Sequence, residues 1–182
     1  MTDLTRRLLA VAAFSMIAAT ANAQEPVSAA AITGKDFLAS FAGNWRGSGE
    51  AKVNPKSAPT KVTCKLSAVF DAGQSLLSNN GRCGTTQGSQ EMSGRVAADG
   101  DALKGEFIAG MDTSKLRKQR LTLVDGTLVS EAEMDDENGG KVIKLRTVLT
   151  QPKDGAFVVQ NQFYDWAKAS WITGGEIAFK KQ

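Results

Sequence analysis

The sequence predicts an all-β fold: a single up-and-down antiparallel β-barrel of about eight to ten strands, with a short N-terminal helix and one disulfide. Three observations carry this. From residue 62 onward apolar side chains recur every second position, the spacing of a strand with one face toward a core. The alternating runs are separated by turn chemistry, in "ADGDA", "VDGT", "DENGGK" and "PKDG". No helix longer than the opening one finds room between those turns, and a meander with one apolar face is the pattern of such a barrel.

The chain has 182 residues, of which the first 23 read as a secretory signal. Two arginines stand in Met1–Arg7, an apolar run follows over Leu8–Thr20, and Ala21-Asn22-Ala23 forms an A-x-A cleavage site that starts the mature chain at Gln24. The run is shorter than the ~20 residues a membrane-spanning helix needs. No cysteine near the cut offers a lipid anchor, and no other stretch is apolar enough to span a bilayer. "TRRLLA" (Thr5–Ala10) is similar to a twin-arginine signal, but no cofactor motif follows it, so the general secretory route is expected. The expected location is periplasmic or secreted. Cleavage of 23 of the 182 residues leaves 159, with 20 of the 22 basic and 18 of the 19 acidic side chains and a net charge of +2. That length supports one domain with a real core, and that charge does not imply a polyanionic partner.

Residues 24–33 are an Ala-rich flexible leader, and the barrel domain runs over 34–182. "GKDFLASFAG" (Gly34–Gly43) makes a short helix with Phe37, Leu38 and Phe41 on one side and Gly43 as its stop. "GNWRGSGEAKV" then opens the first strand. Its glycines match neither G-x-x-x-x-G-K-[ST] nor G-x-G-x-x-G between a strand and a helix, so no helix N-terminus receives a phosphate. Val62, Cys64, Leu66, Ala68 and Phe70 alternate with Thr63, Lys65, Ser67 and Val69. Further runs hold Met92, Gly94, Val96, then Leu103, Gly105, Phe107, then Leu121, Leu123, then Leu128, Ser130, Ala132, Met134. The last hold Ile143, Leu145, Thr147, Leu149, then Phe157, Val159, Asn161, Phe163, and finally Ile177 and Phe179.

Cys64 and Cys83 lie 19 residues apart around the turn "FDAGQS" (Phe70–Ser75). Strands over 60–71 and 74–85 place them opposite each other, where a disulfide is worth ~3 kcal/mol in the chain-entropy picture. Neither C-x-x-C nor further ligands accompany them, so a redox or metal role is not expected.

The chain carries little that does chemistry. It contains no histidine, which removes His-based triads, most zinc sites and the commonest haem ligand. No catalytic set, cofactor or metal site is expected. "EAEMDDE" (Glu131–Glu137) lacks the alternating oxygen spacing of a calcium loop and reads as a solvated hairpin end. "KLRKQR" (Lys115–Arg120) resembles a nucleic-acid patch only in composition. A two-residue Asp125-Gly126 turn sets Arg120 opposite Glu131, Lys118 opposite Glu133 and Leu123 opposite Leu128, so the run reads as one side of a cross-strand ion-pair ladder. No nucleic-acid partner is expected.

A short helix followed by G-x-W at the head of an all-β meander resembles the calycin superfamily, the lipocalins and fatty-acid-binding proteins. The matching residues are Phe41, Gly43, Asn44 and Trp45. The resemblance implies that Trp45 plugs the closed end of the barrel beneath a basic side chain of the last strand. Lys180 or Lys181 fits by position, where that superfamily usually has arginine. Gly47 and Gly49, on the face of Trp45, would leave space where the barrel coils or another backbone comes near. The chain is more similar to secreted bacterial barrels of uncharacterised type that open F-x-G-x-W-x-G than to any lipocalin with an assigned ligand. It also resembles, more weakly, small periplasmic barrels that inhibit metalloproteases through a flexible N-terminal trunk; residues 24–33 stand in that place.

Two functions follow. A barrel of eight or more strands has room for a cavity at one end, which implies binding of a small apolar or amphipathic ligand. The candidate ligand-binding residues are Trp45, Leu66, Phe70, Phe107, Leu145, Phe157, Phe163 and Trp166, each of which a filled core would require as well. The alternative is a protein-interaction barrel, protease-inhibitor-like or envelope-maintaining, with a filled core and no ligand. It would act through the leader or through "FYDWAKASW" (Phe163–Trp171), where Tyr164, Trp166 and Trp171 are expected in a turn, as an interface anchor or a cap on the mouth.

Overall fold

Thr33 caps the one short helix among the described residues: its Oγ1 accepts from Asp36 N–H at 3.1 Å and donates to the Asp36 carboxylate at 2.7 Å, an N-cap with an acid in the first turn. The computed structural model describes residues 32–52, 54–86, 88–100, 102–108, 115–135 and 142–182, without the side chains of Phe107 and Ile108. The expected signal and its cleavage site, the leader up to residue 31 and the "DENGGK" turn lie outside the described residues. No helix among the described residues is long and apolar enough to cross a membrane. The capped helix, α1 (Gly34–Ser40), buries Phe37 and Leu38 and ends at Phe41, after which Gly43, with φ +132°, turns the chain into the first strand.

Ten strands follow: β1 (Gly43–Ala51), β2 (Thr60–Asp71), β3 (Leu76–Thr85), β4 (Gly88–Asp99), β5 (Ala102–Ile108), β6 (Leu116–Val124), β7 (Thr127–Asp135), β8 (Val142–Thr150), β9 (Ala156–Asp165) and β10 (Ser170–Lys181). They form one antiparallel sheet ordered β5-β4-β3-β2-β1-β10-β9-β8-β7-β6. β1 and β10 close the meander, while β5 and β6 face one another with no hydrogen-bonded ladder among the described residues, so the barrel is nearly closed.

The turns follow their residues. Asp71 Oδ1 accepts from the N–H groups of Gly73 (2.8 Å) and Gln74 (3.0 Å), folding the β2–β3 loop as an Asx turn. That registers Cys64 against Cys83, whose Cα atoms are 4.0 Å apart and whose disulfide is formed. Asp125-Gly126 and Asp154-Gly155 all have positive φ, as tight two-residue hairpins require.

The Asp125-Gly126 hairpin has the expected register, Lys118 against Glu133, Arg120 against Glu131 and Leu123 against Leu128. The ion pairs do not follow it. Glu131 is held by Arg146 (2.6 and 2.9 Å) and Glu133 by Lys144 (3.4 Å), both from β8 on the other side of β7. A sheet residue has two cross-strand neighbours, and β8 supplies the closer cations. Arg117 pairs with Asp135 at 2.5 Å. Most of the basic run instead decorates β6, an outermost strand of the sheet, where charge discourages pairing with another chain's edge.

The core is densest at the helix end. Trp45 is 2% exposed, and its Nε1–H donates to Phe41 O at 2.7 Å. Phe157 packs edge-on to Phe41 (5.1 Å) and Trp45 (4.8 Å) and stacks on Phe179 (4.7 Å). Of the two expected basic residues, Lys181 covers Trp45, its Nζ 5.5 Å from the ring, while Lys180 stands in the opposite phase beside Arg46. The glycines on the Trp45 face serve as expected. A Cβ at Gly47 would stand 2.6 Å from the Phe179 ring, and one at Gly49 would overlap the Glu176 carbonyl oxygen of β10. Gly49→Ala is therefore expected to cost about 3 kcal/mol or more, lowering the thermal midpoint by roughly 6–12 °C. Gly84→Ala, whose Cβ would meet nothing closer than 4.0 Å, should leave the midpoint within about 3 °C by circular dichroism.

Candidate functional site

Because α1, Trp45 and the aromatic layer seal one end, the space left inside the barrel lies above them. It is a cavity of about 910 Å³, near the upper end of the range of small-molecule sites. Its floor is Phe41, Phe157 and Phe179, and its walls carry Val62, Leu66, Leu77, Leu145, Leu149, Val159, Phe163 and Ile177. Met134, Leu145 and Phe163 form a smaller apolar cluster of their own. Lys52, Thr60, Thr85, Lys115 and Asp135, near the strand ends opposite α1, rim the mouth.

Polar residues interrupt this apolar surface, among them Asn79, Thr147, Asn161 and Gln162, the last with its Oε1 buried and without a hydrogen-bond partner among the described residues. Thr147 and Asn161 are register partners on β8 and β9, and the Thr147 hydroxyl donates to Asn161 Oδ1 at 2.9 Å. That bond leaves the Asn161 amide nitrogen as a donor in the cavity wall. Asn79 on β3 is 8% exposed and lines the cavity, yet its amide makes no hydrogen bond to another described residue. Space for it comes from Gly94, directly opposite on β4, where a Cβ would stand 2.6 Å from Asn79 Oδ1. The Asn79 amide opens onto the cavity, where it offers a donor and an acceptor to whatever enters.

The sequence candidates divide on this geometry. Leu66, Leu145, Phe157 and Phe163 come together as cavity lining. Trp45 lies beneath the floor, Phe70 is half-buried against the core outside the lining, and the Phe107 side chain lies outside the described residues. Trp166 is 60% exposed and is not a cavity residue. Nor are the three aromatics gathered in a turn. Tyr164 and Trp171 are partners on β9 and β10 in the phase opposite to inward Phe163, and only Trp166 sits in the hairpin loop. They pack edge to face outside the barrel, with Lys144 Nζ 4.8 Å from the Trp166 ring and Arg146 4.1 Å from that of Trp171.

Sequence reasoning passed over Asn79, Thr147 and Asn161 as site residues. The available signal was phase: a polar residue at an inward position of an alternating strand. Thr147 and Asn161 stand in such positions, and Asn79 shares the phase of Cys83. The displaced titrations lie elsewhere. The hydrogen bond between Lys104 and Asp99 (2.6 Å) holds the aspartate below and the lysine above their ordinary values, but both are exposed at the β4–β5 turn.

No protein-family profile matches the chain, and no curated protein matches it in sequence. Solved structures do match in fold. An S-type phycobiliprotein lyase, CpeS, from Guillardia theta aligns with a TM-score of 0.57 at 10% identity, over 83% of this chain and 93% of that one. A DUF3598-family protein of unknown function from Nostoc punctiforme aligns at 0.53 and 12% identity, over 80% of this chain and 49% of its own, so this chain spans about half of it. Rv2717c from M. tuberculosis aligns at 0.51 and 9% identity, over 84% and 99%. These are calycin-like barrels, and the present chain has a calycin-like fold.

The polar wall is open to a direct check. Asn79→Leu, whose amide opens onto the cavity, is expected to leave unfolding stability within about 1 kcal/mol of the wild type. Thr147→Val, which strands the Asn161 carbonyl, should lower it by about 1 kcal/mol, each read from denaturant midpoints at unchanged slope.

Proposed function

We propose that this barrel is a non-catalytic binding protein for a small apolar or amphipathic molecule. The observation that carries the reading is the cavity of about 910 Å³, walled by apolar side chains and holding the unpartnered amide of Asn79. An apolar body would lie against Phe157, Phe163, Leu66 and Leu145, and a hydrogen-bonding group would reach Asn79 or Asn161. A filled barrel would have favoured the protein-interaction reading instead. The calycin-like fold, one instance of which is a phycobiliprotein lyase, is consistent with a barrel that holds a guest. With residues 1–23 read as a signal, this binding takes place in the periplasm or outside the cell.

Native mass spectrometry of the protein after exposure to a lipid extract should show a bound molecule that survives desalting, and a bare spectrum at every extract concentration would overturn the proposal. With the captured molecule or a fluorescent fatty-acyl probe, Leu145→Trp, which fills the cavity, should weaken binding about tenfold or more. Trp166→Ala, outside the barrel, should change it less than about twofold.

A further inference from the structure

The outer face of the barrel carries a feature that its small net charge conceals. The strand registers put Lys180 of β10 beside Arg46 of β1, Arg46 beside Lys65 of β2, and Lys65 beside Arg82 of β3. Four cations thus stand in one unbroken row across four adjacent strands, about 4.8 Å apart along the sheet. All four are exposed. Arg82 is paired with Glu91 of β4 at 2.7 Å, while Arg46, Lys65 and Lys180 have no ion pair among the described residues. Like charges directly opposite one another in a sheet are destabilising. Across β7 and β8 such positions are balanced, Glu131 by Arg146 and Glu133 by Lys144, and where Glu50 of β1 meets Glu176 of β10 the other neighbour of Glu50 is Lys61 of β2.

The neighbouring row on the same face is uncharged and able to hydrogen-bond: Asn44, Ser67, Asn80 and Ser93, register partners in sequence across β1 to β4. Beyond it on β2 stands Val69, 67% exposed, an apolar side chain offered to whatever lies against this face. A shallow depression spans the two rows, with Arg46, Lys65, Arg82, Asn44, Ser67 and Asn80 on its surface and the Glu91 carboxylate, held by Arg82, at one end of the cation row. No aromatic side chain belongs to either row, so nothing there stacks a nucleobase.

We propose that this face docks on an anionic lipid surface, the cation row meeting headgroup phosphates, the Asn/Ser row hydrogen-bonding among them, and Val69 entering the interface. A broad, open face of this kind fits a plane of phosphates better than a single acidic peptide, which would need walls to hold it. The surface is independent of the cavity and of what the cavity holds.

Co-sedimentation of the mature protein with vesicles tests it. Binding should be strong to phosphatidylcholine vesicles containing phosphatidylglycerol, weak to phosphatidylcholine alone, and largely lost at high salt. The double variant Arg46→Gln/Lys65→Gln should lower partition about thirtyfold. Its thermal midpoint should be unchanged or about 2 °C higher, because like charges are removed. Lys56→Gln/Lys153→Gln, which removes the same net charge from two exposed loop positions, should partition within about twofold of the wild type. The proposal is overturned by equal binding to both vesicle types, by equal losses in the two double variants, or by a row variant that binds as the wild type does. Retention on duplex DNA or an acidic protein without retention on vesicles would overturn it too.

Discussion

The hydrogen bond from the Trp45 indole to the carbonyl of Phe41 joins the end of the helix to the head of the first strand, where the barrel is sealed. A buried indole N–H requires a partner, and this one is four residues back along the chain. Satisfying it places the ring across the barrel end, against Phe157 and under Lys181. The same strand then has to leave its inner face bare. Gly47 makes room for Phe179, which stacks on Phe157, and Gly49 lets the backbone of β10 come close enough to pair. Large, empty, empty along one face of β1 thus produces both the floor and the closure between the first and last strands.

A floor packed this densely gathers Phe41, Trp45, Phe157 and Phe179 at one end, and of the described aromatic side chains Phe163 lines the cavity wall above them. The strand β7, whose inward positions are Leu128, Ser130, Ala132 and Met134, supplies modest volume at each, and of the four Met134 reaches the cavity. The cavity is the space that this division leaves. Its polar residues differ in what they leave for a guest: Thr147 satisfies part of Asn161, whereas Asn79 makes no hydrogen bond to another described residue. Gly94, which clears the space beside Asn79, is part of the same arrangement.

The parts legible in the sequence are those set by local chemistry. Period-two alternation identified the strands and their inward face, and the Asp125-Gly126 turn fixed a register that the hairpin keeps from Val124 back to Lys118, before it shifts by one residue at Leu116. The cysteine midpoint likewise found the β2–β3 hairpin. What escaped depends on the second neighbour of each strand. The carboxylates of Glu131 and Glu133 choose β8 over β6, and no arithmetic on one hairpin reveals that choice. Trp166 escaped because a loop residue has no phase to read. The cavity escaped because a wall position and a core position have the same pattern in sequence; only the packing distinguishes Phe163, beside open space, from Phe37, beside none.

Charge shows the same dependence on lateral neighbours. A net charge of +3 over the whole chain describes a nearly neutral molecule, yet registers place three successive like-charge pairs side by side on β10, β1, β2 and β3. The free sheet edges are charged as well, with Lys104 and Glu106 on β5 and Arg117, Lys118 and Arg120 on β6. Mixed signs at the edges discourage strand addition by other chains without drawing any one partner. A single-sign row acts differently. In a twofold contact centred on that row it would meet its own image, so like charge sets that face against association with a second copy and leaves it open to anions. The inside of the barrel selects by shape and apolar surface, whereas this outer face selects by sign, and the two are built from alternate residues of the same strands.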